Sequence, residues 1–285
     1  MKILKNLFKK SQKLTFFYSI ILLTTLTSFI CFFIWITPSD YLYIYNRPFG
    51  SYNSTLGFDH IYCINLPFRS DRREKINVIA KFHNLDIDFV EAINFKDTKT
   101  LKHYSSSLAP HHKACYASHY KTYELVVSNN YQSALILEDD VDFEVNIKDF
   151  LNEIQPFLPN DWEMYYLGNC AWDTSNTIYY NGNEFGSDLI LSKSLRPACS
   201  HAYAVSLRGA QKLLKKLVNI SEPVDVALID LMLEDKIFSL SLLPSIINQW
   251  KSKDDPSDIS PGSKDEPHNL KNSTLELFGY RRIPY

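Results

Sequence analysis

No Cys-x-x-Cys pair occurs in the 285 residues, and no histidine-rich ligand set accompanies the acidic residues. Zinc ribbons and fingers are thereby excluded, and a metal-dependent hydrolase is left without its usual ligands. No internal repeat is evident, which excludes a repeat architecture. Basic charge is missing as a cluster from the body of the chain. Lys2, Lys5, Lys9, Lys10 and Lys13 take five of the 30 basic residues, leaving 25 against 32 acidic ones, or about −7. A mildly acidic body lacks the clustered Lys and Arg with which proteins meet nucleic-acid phosphates, so no nucleic-acid partner is expected.

Charge of either sign is absent from Leu14 to Ile36. At about 1.5 Å per residue this tract spans roughly 34 Å, enough for the hydrocarbon core of a bilayer. A buried core helix would carry a polar stripe, and this tract has none. A cleaved signal peptide would be shorter and end on small residues, whereas Phe32, Phe33 and Trp35 crowd this end. The tract therefore reads as an uncleaved anchor over residues 14–37, with residues 1–13 as a cytosolic tail. The leading lysines place that tail on the cytosolic side, making the chain a single-pass type II protein of the Golgi or endoplasmic reticulum membrane with a lumenal body. Three N-x-S/T sequons, at Asn53, Asn219 and Asn272, agree with that side as glycosylation candidates. Cys31 falls in the anchor; Cys63, Cys115, Cys170 and Cys199 allow up to two disulfides or free buried thiols.

With 45% hydrophobic residues, the rest of the chain suffices for one sizeable core. Residues 38–57 are Tyr-rich and aperiodic, a stem leading to one domain over 58–285. Within it, strands are expected at Ile61–Leu66, Ile87–Ala92, Ser133–Leu137, Met164–Gly168, His201–Ser206 and Phe238–Leu243. Helical spacing marks Arg69–His83, Lys113–Val127, Gly209–Val218 and a segment opened by Asp225. Strands separated by helices imply an α/β sheet with parallel strands at its centre. Residues 251–270, rich in Asp, Ser, Pro and Lys, read as a mobile segment or surface loop.

The chemistry concentrates where the apolar run Ala134–Leu137 meets Glu138, Asp139, Asp140 and Asp142. Repulsion and desolvation make such a cluster costly unless cations or water compensate. Oxygen ligands of this kind suit Mn²⁺ or Mg²⁺. The plainer reading is a solvated turn. Arg69 and Arg72, three apart at a helix start after the first strand, suit a phosphate, or else form a solvated first turn. His111 and His112 are adjacent and point apart, which argues against their sharing a metal.

In their order, INLPFRSDRR, ACYASHYKTYELV, ALILEDDV, HAYAVSLRGAQKLL, EPVD and PSIINQ resemble glycosyltransferase family 25, the lipopolysaccharide and procollagen galactosyltransferase family. The resemblance covers about Asp59 to Trp250. It implies a GT-A-like (Rossmann-like) mixed, mostly parallel sheet flanked by helices, and sugar transfer from a nucleotide sugar, commonly a UDP-sugar, with Mn²⁺. The acceptor would be a glycan, a lipid-linked sugar or a protein hydroxyl. By the same resemblance Asp140 is the direct metal ligand, with Glu138 or Asp139 beside it at the metal's outer contacts or the ribose. Arg69, Arg72, Ser118 and His119 match the nucleotide-sugar side, although helix packing would equally account for Ser118 and His119. If transfer inverts, Asp225 in EPVD is the candidate base, against a plain helix cap. His201 and Tyr203 are candidates for the acceptor side. The departure is Tyr120 after His119, where the family pattern leads one to expect a Trp or similar bulky residue. A catalytically silent lumenal binding or adhesion protein on the same fold is the alternative.

Overall fold

A computed structural model describes residues 53–104, 107–170, 174–184, 186–219, 221–259 and 270–282. The expected tail, anchor and most of the stem lie outside them. No described helix is long and apolar enough to cross a membrane. The described residues belong to one compact unit, Tyr52–Tyr285.

An eight-stranded sheet organises this unit. It uses β1 (His60–Asn65), β2 (Asp88–Glu91), β3 (Ser133–Glu138), β5 (Met164–Gly168), β6 (Thr174–Asn181), β7 (Ile190–Ser194), β8 (Ala202–Ser206) and β9 (Ser239–Leu243). Their order is β2-β1-β3-β8-β5-β9-β7-β6. The β1–β2, β1–β3 and β5–β9 pairs are parallel, and the remaining neighbours antiparallel. Only β8 and β7 run against the other six strands, so the sheet is mixed yet largely of one direction. A short second ribbon pairs β4 (Val141–Phe143) with β10 (Ile247–Gln249).

Alternation along each strand feeds two cores. Ile61, Cys63, Leu135 and Leu137 point to one face, where Ile76 and Ile79 of α1 (Ser70–His83) and Leu151 and Ile154 of α4 (Ile147–Ile154) cover them. Tyr62, Ile64, Ala134 and Ile136 point to the other. There they meet Tyr116, Tyr123 and Val126 of α3 (Pro110–Ser128), with Leu213 of α5 (Leu207–Lys216) and Leu228 of α6 (Val224–Leu233). Strands buried on both faces read as the continuous apolar runs seen in β1 and β3. Local signals agree: Pro110 opens α3, and the Ser206 side chain caps α5 by accepting from Gly209 N at 3.1 Å.

Two boundaries differ from expectation. Leu56, inside the expected stem, is buried in the first core, so the compact unit begins before it. The expected mobile segment is tied down over Lys251–Ile259, where Ser252 and Asp255 are buried. Residues 260–269 lie outside the described residues. Opposite charge on α1 does the tying, as the site makes clear.

Candidate functional site

The carboxyl ends of parallel β1 and β3 lie side by side, with Ile64 paired to Glu138. Beyond them opens a cleft. Arg72, Ser118, His119, Glu138, Asp139 and Asp140 all line it; Arg69, Asp225, His201 and Tyr203 are not among its lining residues. Ile64, Phe68, Ile93 and Phe95 supply the apolar part of the wall. In open α/β sheets this is the place where ligands bind.

The three acidic neighbours occupy different environments. Glu138, at the strand's end, meets His119 Nε2 at 3.3 Å and accepts from Ser200 Oγ at 3.1 Å. Burial alone would raise its pKa, but the bond to His119 and that ring's charge outweigh it and hold the carboxyl below its usual range. Asp139 accepts from Asn65 Nδ2 at 2.8 Å and from Arg72 Nη1 at 2.9 Å. Even so, burial keeps its pKa raised. Asp140 is 5% exposed, lies 3.6 Å from Arg72 Nη1, and its Oδ1 has no hydrogen-bond partner among the described residues. Burial, reinforced by the charges of Glu138 and Asp139 against the pull of Arg72, pushes it up to about 6. An orphaned carboxylate oxygen among other carboxylates, on a residue of the cleft wall, fits a hard divalent cation, which takes oxygen ligands.

Asp142 does not share this site. A two-residue period would keep it with Asp140, but the chain turns at Asp139–Asp140 before β4 begins. Asp142 accepts instead from Phe143 N at 2.8 Å, Leu275 N at 3.0 Å and the Ser273 hydroxyl, docking the short helix α7 (Thr274–Leu277).

The arginines expected as an exposed phosphate cradle are engaged within the chain. Arg72, 4% exposed, bonds Asp139, Asp255 through Nε at 3.0 Å, and the Pro256 carbonyl at 3.0 Å. Arg69 bonds Asp71, Asp255 and Asp258, and Lys75 reaches Asp255 at 2.6 Å. Burial would raise Asp255, but Arg72, Lys75 and Arg69 together hold it below the usual carboxylate range. Asn65, Lys75, Ser200, Asp255 and Asp258 are site residues that sequence reasoning missed. Asn65 stood inside a quoted motif; the other four carried no local signal, and Asp255 lies 180 residues or more from its partners.

Ser118 accepts from Ile93 N at 2.8 Å and donates to the Ala114 carbonyl, pinning the loop after β2 against the cleft. His119 Nδ1 meets the Tyr203 hydroxyl at 2.8 Å, and that hydroxyl meets Tyr123 at 2.6 Å. Tyr203 is fully buried, and His201 is 1% exposed with Nε2 3.3 Å from the Ile247 carbonyl. Neither reaches the cleft wall, because both side chains belong to the packed body of the sheet. A Cβ at Gly168 would collide with that same Ile247 carbonyl and lie 2.6 Å from His201 Nε2, so only glycine fits beneath this corner. Asp225 stands in the first turn of α6, accepting from Val226 N at 3.0 Å and Cys199 N at 3.3 Å. Its charge is among those, after burial and Glu138, that raise the Cys115 thiol in the cleft wall. Cys170 and Cys199 are joined in a disulfide, and Cys63 and Cys115 are free. His111 stacks on Phe95 at 4.0 Å and joins no metal-type cluster among the described residues. Asn53, Asn219 and Asn272 are all exposed.

A mixed α/β sheet with a carboxylate- and arginine-lined cleft at its parallel strands' carboxyl ends defines an open-sheet ligand-binding protein. The chain belongs to glycosyltransferase family 25: the family model, described as glycosyltransferase family 25 (LPS biosynthesis protein), matches residues 58–228. Similar proteins include procollagen galactosyltransferase 2 of Homo sapiens, 27% identical over 62% of this chain and 30% of the relative. A glycosyltransferase 25 family member of Anopheles gambiae is 28% identical over 56% of this chain and 29% of its own length. The inactive glycosyltransferase 25 family member 3 of Homo sapiens is 27% identical over 56% of this chain and 29% of its own. The chain thus spans about a third of the length of these curated relatives. A solved glycosyltransferase involved in glycosylation of the major capsid of PBCV-1 is 10% identical, covering 65% of this chain and 92% of that one, at a TM-score of 0.29. That likeness is too slight to bear on the site.

Proposed function

We propose that this chain is a metal-dependent glycosyltransferase of GT-A type, moving a sugar from a nucleotide-sugar donor to a hydroxyl acceptor. The donor is taken to be UDP-linked, galactose among the candidates, and the acceptor a glycan, lipid-linked sugar or protein. The observation that carries this reading is the buried, unpartnered Oδ1 of Asp140, a residue of the cleft wall. Asp140 and Glu138 would hold Mn²⁺ or Mg²⁺, which supplies Lewis-acid stabilisation to a departing nucleotide diphosphate. Asp139 is spoken for by Asn65 and Arg72, so its part is to aim Arg72 into the cleft. The apolar wall from Ile64 to Phe95 excludes water from one side and gives a base or sugar ring a surface. Ser118 and His119 act by fixing that wall and Glu138. For an inverting course, Asp225 is the candidate base; it stands outside the lining of this cleft, half-buried and oriented by its two backbone donors. A lumenal setting is supported by the Cys170–Cys199 disulfide, which forms in oxidising compartments.

A second reading, a silent binding protein, draws on Arg69 and Arg72 being already paired with Asp255 and Asp258. A panel of nucleotide sugars offered to the purified protein with an acceptor mixture separates the two. Release of free nucleotide that stops in EDTA supports transfer. Saturable donor binding without any release supports the silent protein and overturns the first reading.

A further inference from the structure

A free cysteine stands on the wall of this cleft, one turn along α3 from His119 and opposite Glu138. Ligand atoms of Cys115, His119 and Glu138 all lie within 4.8 Å of one another. We propose that these three side chains form a binding site for a thiophilic divalent cation, Zn²⁺ foremost, separate in ligand chemistry from the oxygen site at Asp140.

Positions four apart on a helix share a face, so α3 presents the Cys115 sulfur and the His119 ring together. Glu138 comes from the last position of β3, so two rigid elements meet at the site. The His119 ring is already oriented as a ligand would be. Its Nδ1 is held at 2.8 Å by the Tyr203 hydroxyl, and Tyr203 is itself fixed by Tyr123, leaving Nε2 turned to Glu138. Metal-bound histidines ordinarily have such an outer partner on the second nitrogen. Ser200 Oγ gives the carboxylate the same support at 3.1 Å.

The nitrogen–oxygen spacing also fits an ion. Zinc bonds of about 2.0–2.1 Å to nitrogen and 2.0–2.2 Å to oxygen, set at tetrahedral angles, put the two ligand atoms about 3.4 Å apart. His119 Nε2 and Glu138 Oε1 are 3.3 Å apart. One sulfur, one nitrogen and one oxygen make a donor set that favours Zn²⁺ over Mn²⁺ or Mg²⁺. All three residues line the cleft, so a fourth position opens to water or to a bound molecule, the arrangement of zinc sites that keep an exchangeable ligand. The other Cys/His group, Cys170, Cys199 and His201, has both sulfurs tied in the disulfide and offers no thiolate. If Glu138 also serves the hard cation, Zn²⁺ here withdraws it and inhibits transfer. Only that consequence rests on the transferase reading.

Cobalt(II) reports the site directly, since a thiolate bound to Co²⁺ gives an intense charge-transfer band in the near ultraviolet. Purified full-length protein, stripped with a chelator and kept free of thiol reductants, is titrated with Co²⁺ and then with Zn²⁺. The band is expected to grow to saturation, to vanish as Zn²⁺ displaces cobalt, to be lost in Cys115→Ser and to persist in Asp140→Asn. Tyr203→Phe, which removes the outer partner together with its bond to Tyr123, is expected to weaken Zn²⁺ binding about 10–100-fold. Absence of the band in the wild type, or its survival in a folded Cys115→Ser, overturns the proposal. Should that variant not fold, alkylation of Cys115 in the wild type replaces it, followed by peptide mass spectrometry. Protection by Zn²⁺ supports the site, and an unchanged rate refutes it. None of these measurements involves sugar transfer, so a protein that binds Zn²⁺ this way yet turns over no donor sinks the transferase reading alone.

Discussion

Replacing Asp140 by Asn should stabilise the metal-free protein, and by an amount that depends on pH. Asp140 has its pKa raised from 3.8 to about 6, first by burial and then by the charges of Glu138 and Asp139. At 1.36 kcal/mol per unit, that shift is on the order of 3 kcal/mol. A carboxyl whose folded pKa is raised favours the fold while protonated. Its contribution is therefore fully present below about pH 3.8 and is lost as pH rises through about 6. The wild type thus carries the whole penalty at pH 7.5 and almost none at pH 4. Asn has the same shape without the charge, so it carries no penalty at either pH. In EDTA at pH 7.5, Asp140→Asn should unfold about 6–12 °C higher, taking about 2–4 °C per kcal/mol for a domain of this size. The two proteins should converge towards pH 4. Mn²⁺ should reverse the order once it reaches about a thousandfold excess over Kd, where a ligand of the native state adds about 4.1 kcal/mol to the wild type alone. Thermal melts over a pH series, with chelator and with Mn²⁺, read all of this. A variant less stable than wild type at pH 7.5 in EDTA, or a difference that ignores pH, would refute the reasoning.

Other consequences can be checked separately. Arg72→Ala should cost about 3–5 kcal/mol in urea unfolding, because it strands the buried Asp139 and Asp255; a loss near zero would mean water replaces the guanidinium. Arg69→Ala, at the more exposed edge of the same cluster, should cost clearly less. Removing the Cys170–Cys199 disulfide by a double Ser substitution should cost about 3.6 kcal/mol on the chain-entropy account of a loop with a separation of 29 residues. A change below about 1 kcal/mol would show that the folded loop is held without it. Endoglycosidase treatment of microsomes should shift the protein's mobility through at least one of Asn53, Asn219 and Asn272, and protease should spare the body until detergent is added. A body digested in intact vesicles would place it on the cytosolic side.

Much of the sheet was legible because strands buried on both faces write continuous apolar runs. Ser133–Leu137 and Met164–Gly168 appear with nearly the observed limits. The edge strand β6 and its neighbour β7 were not legible. On β6 Ile178 is 52% exposed while Tyr180, two residues on, is buried, because the register shifts between them, so no period-two signal survives there. The acidic run at Glu138–Asp140 announced itself because charge following an apolar strand is costly. Which acid faces the cleft was decided by a turn that sequence periodicity does not record, and Asp142 was sent to α7 as a result. The arginine pair was found, but its partners were not. Asp255 and Asp258 sit in a polar stretch whose composition reads as solvated, and three-dimensional proximity to α1 alone converts it into a buried ionic lattice.

The central claim is tested most directly by nucleotide release from a nucleotide sugar, compared across wild type, Asp140→Asn and Asp142→Asn with Mn²⁺ and with EDTA. The account predicts Mn²⁺-dependent release by the wild type and its loss by orders of magnitude in Asp140→Asn, whose fold survives. It predicts that Asp142→Asn keeps most activity per folded molecule, since Asp142 docks α7 outside the cleft. Full Mn²⁺-dependent release by Asp140→Asn, or a wild type equally active in EDTA, would contradict it.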